Sequence, residues 1–146
     1  MVKFIMVGFL SSVLMLTGYE LVVQASSSVT FTIADKFEPE IEYTIDNQDV
    51  NAHFIIKNKS GHPFTFHFDT HQQFDYILFD EQGKIVQQYS KIMTFSKIPT
   101  ETPVKPGGSL HYEVTLDDLP AGKYRMLFIL MAKELQVKES ISFEVS

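Results

Sequence analysis

The chain contains no cysteine and no tryptophan. Without cysteine there is no disulfide, no thiolate to complete a metal site, no nucleophilic thiol and no lipid-anchored N-terminal cysteine. Enzyme signatures are equally absent: no G-x-S-x-G elbow, no H-E-x-x-H helix and no glycine-rich phosphate loop occurs anywhere. Basic residues are outnumbered, 12 Lys and Arg against 18 Asp and Glu, for a net charge of −6. That balance argues against nucleic acid, whose binding needs clustered cations to replace phosphate counterions. The reading is therefore of a non-enzymatic protein with no cofactor.

Long apolar runs are also scarce, and the one that exists is at the start. A single cation, Lys3, precedes the apolar stretch FIMVGFLSSVLML, and Val23-Gln24-Ala25 places small residues at the −3 and −1 positions before Ser26. This is the layout of a secretory signal peptide over residues 1–25. Glu20 interrupts the run, where a membrane anchor needs roughly 20 unbroken apolar residues. The expectation is an exported protein, secreted or held at the cell envelope, with no membrane segment after cleavage. Removing 25 of the 146 residues leaves 121, enough for a single domain, residues 26–146. With no disulfide to brace it, that domain must rest on its apolar core, and 11 of the 13 phenylalanines lie within it.

What is present reads as strand almost throughout. Alternation at period two runs through Val29-Phe31-Ile33, Ile41-Tyr43-Ile45 and Val50-Ala52-Phe54-Ile56. It continues in Phe64-Phe66-Phe68, Phe74-Tyr76-Leu78 and Leu110-Tyr112-Val114-Leu116, and the late runs YRMLFILM and ESISFEV are β-rich. Turn chemistry separates them at DNQD, NKSGHP, DEQGK, PGG and LPAGK. No helix-period stretch follows residue 25. Short strands with a turn every 8–12 residues predict an all-β antiparallel sandwich of about seven to nine strands. Residues 96–106, SKIPTETPVKP, break the rhythm with three prolines. They cannot form a central strand and read as an extended surface connection between the two halves of the sandwich.

Several residues could carry chemistry. Asp75 is an acid inside an apolar strand, expected to accept hydrogen bonds from a neighbouring strand or loop. His62, His67 and His71 cluster in sequence, but the strand between them sends them to different places, and no metal site is expected. Asn58-Lys59-Ser60 matches a glycosylation sequon.

The order of certain features resembles the BsuPI family, the intracellular proteinase inhibitors of Bacillus and their relatives. The resemblance rests on Phe68-Asp69-Thr70 with Gln73-Phe74-Asp75, then Phe79-Asp80 with Gly83-Lys84, Tyr89-Ser90, Pro106-Gly107, and Leu119-Pro120-Ala121-Gly122 with Tyr124. It covers roughly residues 50 to 130. The chain departs from the family at Gln87-Gln88, at the segment Met93-Thr94-Phe95-Ser96, and in having no tryptophan before the P-A-G turn. The resemblance implies an immunoglobulin-like β-sandwich and inhibition of a subtilisin-type serine protease. Phe74, Asp75, Asp80, Gly83, Tyr89, Ser90, Pro106, Gly107, Pro120, Gly122 and Tyr124 then read as framework. An inhibitor presents a preorganised extended loop, and proline lowers the entropy lost on binding. The expected contact residues are Ile98, Pro99, Thr100, Glu101 and Thr102, with the DEQGK hairpin tip as runner-up. The partner would be a secreted serine protease. The alternative is a non-inhibitory immunoglobulin-like module that binds another protein of the bacterial cell envelope through a strand edge or sheet face.

Overall fold

A computed structural model describes residues 35–146. The expected signal segment and the expected strand at 29–33 lie outside the described residues. Nine strands and one helical turn follow among those described. They are β1 (Phe37–Asp46), β2 (Asp49–Asn58), β3 (Phe64–Phe68), β4 (Phe74–Asp80), β5 (Ile85–Gln88), α1 (Tyr89–Ile92), β6 (Thr100–Val104), β7 (Ser109–Leu116), β8 (Gly122–Leu130) and β9 (Lys138–Val145). Every pairing is antiparallel. One sheet runs β1-β2-β7, a second runs β5-β4-β8-β9, and β3 and β6 form a separate two-stranded ribbon.

The two larger sheets bury their alternating faces against each other. On β2, Val50, Ala52, Phe54 and Ile56 are fully buried; on β8, Met126, Phe128 and Leu130 answer them. Phe54 stacks on Phe128 at 5.1 Å, which joins the centres of both sheets. Burying each such side chain contributes roughly 1.5–3 kcal/mol, so this single layer carries much of the stability that disulfides would otherwise supply. The β3-β6 ribbon lies at the end where β1 begins, with Phe37 edge-on to Phe64 and Phe66 at 4.9 and 5.2 Å. The main chain ties it in: Lys133 N–H donates to the His67 carbonyl at 2.9 Å, just past β8.

Two outcomes differ from the sequence reading. Residues 96–106 are not one connection, because Thr100–Val104 pairs with β3 as strand β6, Pro103 lying opposite Thr65. Pro103, the one proline within β6, is tolerated because β6 is an edge strand. The single turn Tyr89–Ile92 was not anticipated, since four residues cannot display a helical period. Among the described residues no helix is long and apolar enough to cross a membrane.

Candidate functional site

The segment between β5 and β6 departs furthest from the sheets, and the framework residues converge on it. Asp75, on central strand β4, is buried. Its Oδ1 accepts from the main-chain N–H groups of Tyr76 and Ser90, both at 2.9 Å. Its Oδ2 accepts from the Ser90 hydroxyl at 2.7 Å and from Gln88 Nε2 at 3.1 Å. Four donors satisfy the carboxylate, and two of them come from Ser90 at the start of α1. The acid is a clamp on that turn, as expected of a structural residue. Beside it, Phe74 stacks on Tyr89 at 4.8 Å with the rings 13° from parallel, and Tyr89 stacks on Tyr76 at 5.5 Å. Phe95 closes edge-on against Tyr89 at 5.4 Å. Burial pushes the Tyr76 hydroxyl pKa above the ordinary phenol range, against a bond from Gln87 Nε2.

Residues 93–99 then run without regular structure and largely exposed to β6. This loop is fastened beyond Phe95 as well. The Ser96 carbonyl accepts from His71 N–H at 3.1 Å, and the Thr100 hydroxyl donates to the Thr70 carbonyl at 3.0 Å. Thr70 is itself fixed by a bond from Gln72 N–H to its hydroxyl. Gln73 donates to the Thr102 hydroxyl at 3.1 Å and accepts from the Tyr112 hydroxyl at 3.0 Å, so it ties β6 to β7. Burial pushes the Tyr112 hydroxyl pKa far up, which keeps it a donor at any ordinary pH. Thr70, Gln73, Phe74 and Asp75 all reach across to the stretch 89–102, and together they brace one loop.

The expected contact residues therefore divide. Ile98 is 61% exposed, the highest value among the large apolar side chains described, and Pro99 is exposed beside it. Thr100 and Thr102 are half-buried anchors, and Glu101 faces His67 across the ribbon. Sequence reasoning missed the neighbours that extend the exposed apolar surface: Ile85, Val86, Ile92 and Met93 are all prominently exposed. Five of the eight large exposed apolar residues among those described thus fall between positions 85 and 98. Ile85 and Val86 belong to β5, the edge of its sheet. The apolar letters alone could not reveal this, because core and surface use the same residue types.

The remaining framework residues hold turns. At the DEQGK tip, Asp80 Oδ1 accepts from the N–H groups of Gln82 and Lys84, and Gly83 takes φ +78°, where a side chain would be strained. Pro106 and Gly107 occupy the centre of a turn closed by Gly108 N–H to the Lys105 carbonyl, with Gly107 at φ +74°. The Tyr124 hydroxyl donates to the Pro120 carbonyl at 2.7 Å and locks the corner leading through Gly122 into β8. Asn58 is fully buried. Its Nδ2 lies within hydrogen-bonding distance of the carbonyls of His62, Val104 and Lys105, and its Oδ1 accepts from Ser60 N–H and Oγ–H. The apparent sequon is thus an internal brace with no free amide to modify in the folded state.

The histidines are dispersed, and no three His, Asp or Glu side chains converge on a metal position among the described residues. The His67 ring contacts the Glu134 carboxylate, while His62 bonds locally to Ser60. A second pair, His53 and His111, meets at 3.0 Å across β2 and β7. Burial disfavours the charged form of Glu134, but the His67 N–H and ring hold its carboxyl pKa below the ordinary range.

Among solved structures, the fold is similar to part of a beta-glucosidase from Kluyveromyces marxianus, at 12% identity and a TM-score of 0.44 over 75% of this chain and 14% of that one. A beta-glucosidase 3B from Thermotoga neapolitana matches at 17% identity and 0.41, over 75% of this chain and 16% of that one. An alkylpurine DNA glycosylase from Pseudomonas fluorescens matches at 11% and 0.43, over 75% and 30%. The chain spans about a seventh of the length of the first of these, and likeness at this level bears on no activity. No curated protein matches the chain. The family comparison reaches further: residues 37–135, about two thirds of the chain, match the model of BsuPI, described as intracellular proteinase inhibitor. These residues take in the clamped loop and all of the framework that braces it, and the chain belongs to the BsuPI family.

Proposed function

We propose that this protein is an exported proteinase inhibitor that docks a subtilisin-type serine protease with the loop at residues 93–99. Membership of an inhibitor family supplies the class. The observation that carries the choice of surface is the fastening of this loop at Tyr89-Ser90, Ser96 and Thr100, with Ile98 left projecting. A loop held in place before binding avoids an ordering cost of about 0.5–1.5 kcal/mol per immobilised side chain. Export follows from the N-terminal sequence pattern, which would bring the domain to a secreted protease instead of an intracellular one. The strand order and the Tyr124 corner agree with an immunoglobulin-like variety of sandwich.

The test is titration of residues 26–146 against a subtilisin-type protease, with residual activity and integrity of the domain read together. Activity falling to near zero at fixed stoichiometry, with the domain intact or nicked once within 93–99, supports the reading. Unchanged activity sinks it and favours the second reading, a non-inhibitory binding module of the cell envelope. That reading draws support from edge strand β5, whose exposed Ile85 and Val86 offer an unpaired row of main-chain groups beside apolar side chains.

A further inference from the structure

We infer that Ile98 is the residue this loop delivers to the primary specificity pocket of its protease, and that Pro99 keeps the following bond from being hydrolysed. The inference rests on the inhibitor reading above and names its partner class: serine proteases with a large apolar primary pocket. Between the bond at the Ser96 carbonyl and the bond at the Thr100 hydroxyl, only Lys97, Ile98 and Pro99 are free to protrude. Of these Ile98 is the apolar one, exposed more than any other large apolar side chain described. Scattered exposed apolar residues are ordinary on protein surfaces. This one sits at the apex of a three-residue span whose ends are both tied down.

Proline decides which residue of the span is presented. A residue before proline is confined to the extended region, because Cδ of the ring collides with a helical conformation. Ile98 is therefore held in the extended shape that a protease cleft accepts. Proline also alters the chemistry of the next bond. In acyl transfer the catalytic serine oxygen adds to the carbonyl carbon, and the C–N bond breaks only when the catalytic histidine protonates the departing nitrogen. At Ile98-Pro99 that nitrogen is tertiary, with Cδ in place of the hydrogen, and the ring crowds the approach of the acid. The addition then reverses: the serine oxygen leaves, recovers its proton from the histidine, and the peptide bond is restored. Were Lys97 the presented residue, the bond after it would be an ordinary amide and the loop would be a substrate.

The experiment compares the protein with Ile98→Asp, Ile98→Leu and Pro99→Ala against one protease with a large apolar pocket and one with an acid at the pocket base. Ile98→Asp should weaken inhibition of the first protease by roughly 30-fold or more, the scale of a central contact residue. Its melting temperature should stay unchanged because the side chain is exposed. Ile98→Leu should retain inhibition. Pro99→Ala should turn the inhibitor into a slow substrate, with mass spectrometry finding a new N-terminus at residue 99. Undiminished inhibition by Ile98→Asp, or cleavage of Pro99→Ala after Lys97, overturns the assignment while leaving the inhibitor reading intact. Failure of the unaltered protein to inhibit either protease overturns both.

Discussion

Replacing Asp75 by alanine tests whether the family framework exists to hold the loop. The substitution strands four donors: the N–H groups of Tyr76 and Ser90, the Ser90 hydroxyl and Gln88 Nε2. Gln88 Nε2 already lies 3.0 Å from Ser90 Oγ and can donate to it, while the half-exposed hydroxyl can turn its hydrogen to water. Two main-chain N–H groups then remain without a partner, at about 1–3 kcal/mol each, and that of Ser90 is partly open to water. The expected loss is about 3 kcal/mol, or roughly 12 °C in melting temperature for a domain of this size. Asp75→Asn keeps an oxygen for both N–H groups, while the serine hydroxyl can turn and the Gln88 amide can flip to meet the new NH2. Its cost should be about 1 kcal/mol. Urea denaturation measures both, and limited proteolysis under native conditions reads the loop directly. Asp75→Ala should speed nicking between residues 89 and 99 before the sheets open. The reasoning fails if the alanine variant loses less than about 1 kcal/mol, if asparagine costs as much as alanine, or if nicking in this stretch is unchanged.

Asn58→Asp should destabilise by more than about 3 kcal/mol, since a buried carboxylate would face the carbonyls that the amide now serves; a denaturation midpoint near that of the unaltered protein refutes the brace. Tyr124→Phe should cost about 1 kcal/mol with an unchanged denaturant slope, the net value of one hydrogen bond at the corner. Glu134 has a folded-state pKa below its unfolded one, so its bonds to His67 stabilise the protein above the ordinary carboxylate range and are lost as pH falls through the lower folded value. The stability gap between the protein and Glu134→Gln, measured by urea denaturation, should be widest above the ordinary carboxylate range and narrow steadily as pH falls below it; a gap that does not narrow on acidification contradicts the assignment.

The sheets were legible because their signals are local. Period-two alternation in Val50-Ala52-Phe54-Ile56 marks a strand with one buried face, and those four side chains are the ones fully buried. The DEQGK tip was legible for the same reason, since an aspartate three residues before a glycine carries the whole turn in its own chemistry. β6 was hidden because its support is not local: Pro103 within it and Pro99 and Pro106 beside it argue against a strand, and only pairing with Phe64–Phe68 makes one. The exposure of the candidate loop was legible by half. Ile98 and Pro99 stood out as exposed by their setting, but nothing in the letters TET shows that Thr100 and Thr102 turn inward to Thr70 and Gln73. Asn58 was misleading in the opposite sense. A three-residue pattern encodes a modification site but not burial, and burial removes the site.

Exposed loops are where proteases cut, and here no disulfide can help. Cleavage of a loop requires it to open far enough to enter an active site, so resistance depends on the free energy of local opening more than on global stability. The bonds at Ser90, Ser96 and Thr100 each oppose that opening. At about 1 kcal/mol apiece they add about 3 kcal/mol, which lowers the open population roughly a hundredfold. The edge-on contact of Phe95 with Tyr89, and the stack of Tyr89 on Phe74, oppose the same motion from beneath. Phe74, Asp75, Tyr89 and Ser90 of the family framework, with Ser96 and Thr100, are thus positioned to do for this loop what crosslinks do in disulfide-rich proteins. They fix an exposed segment from the inside and leave its apex free.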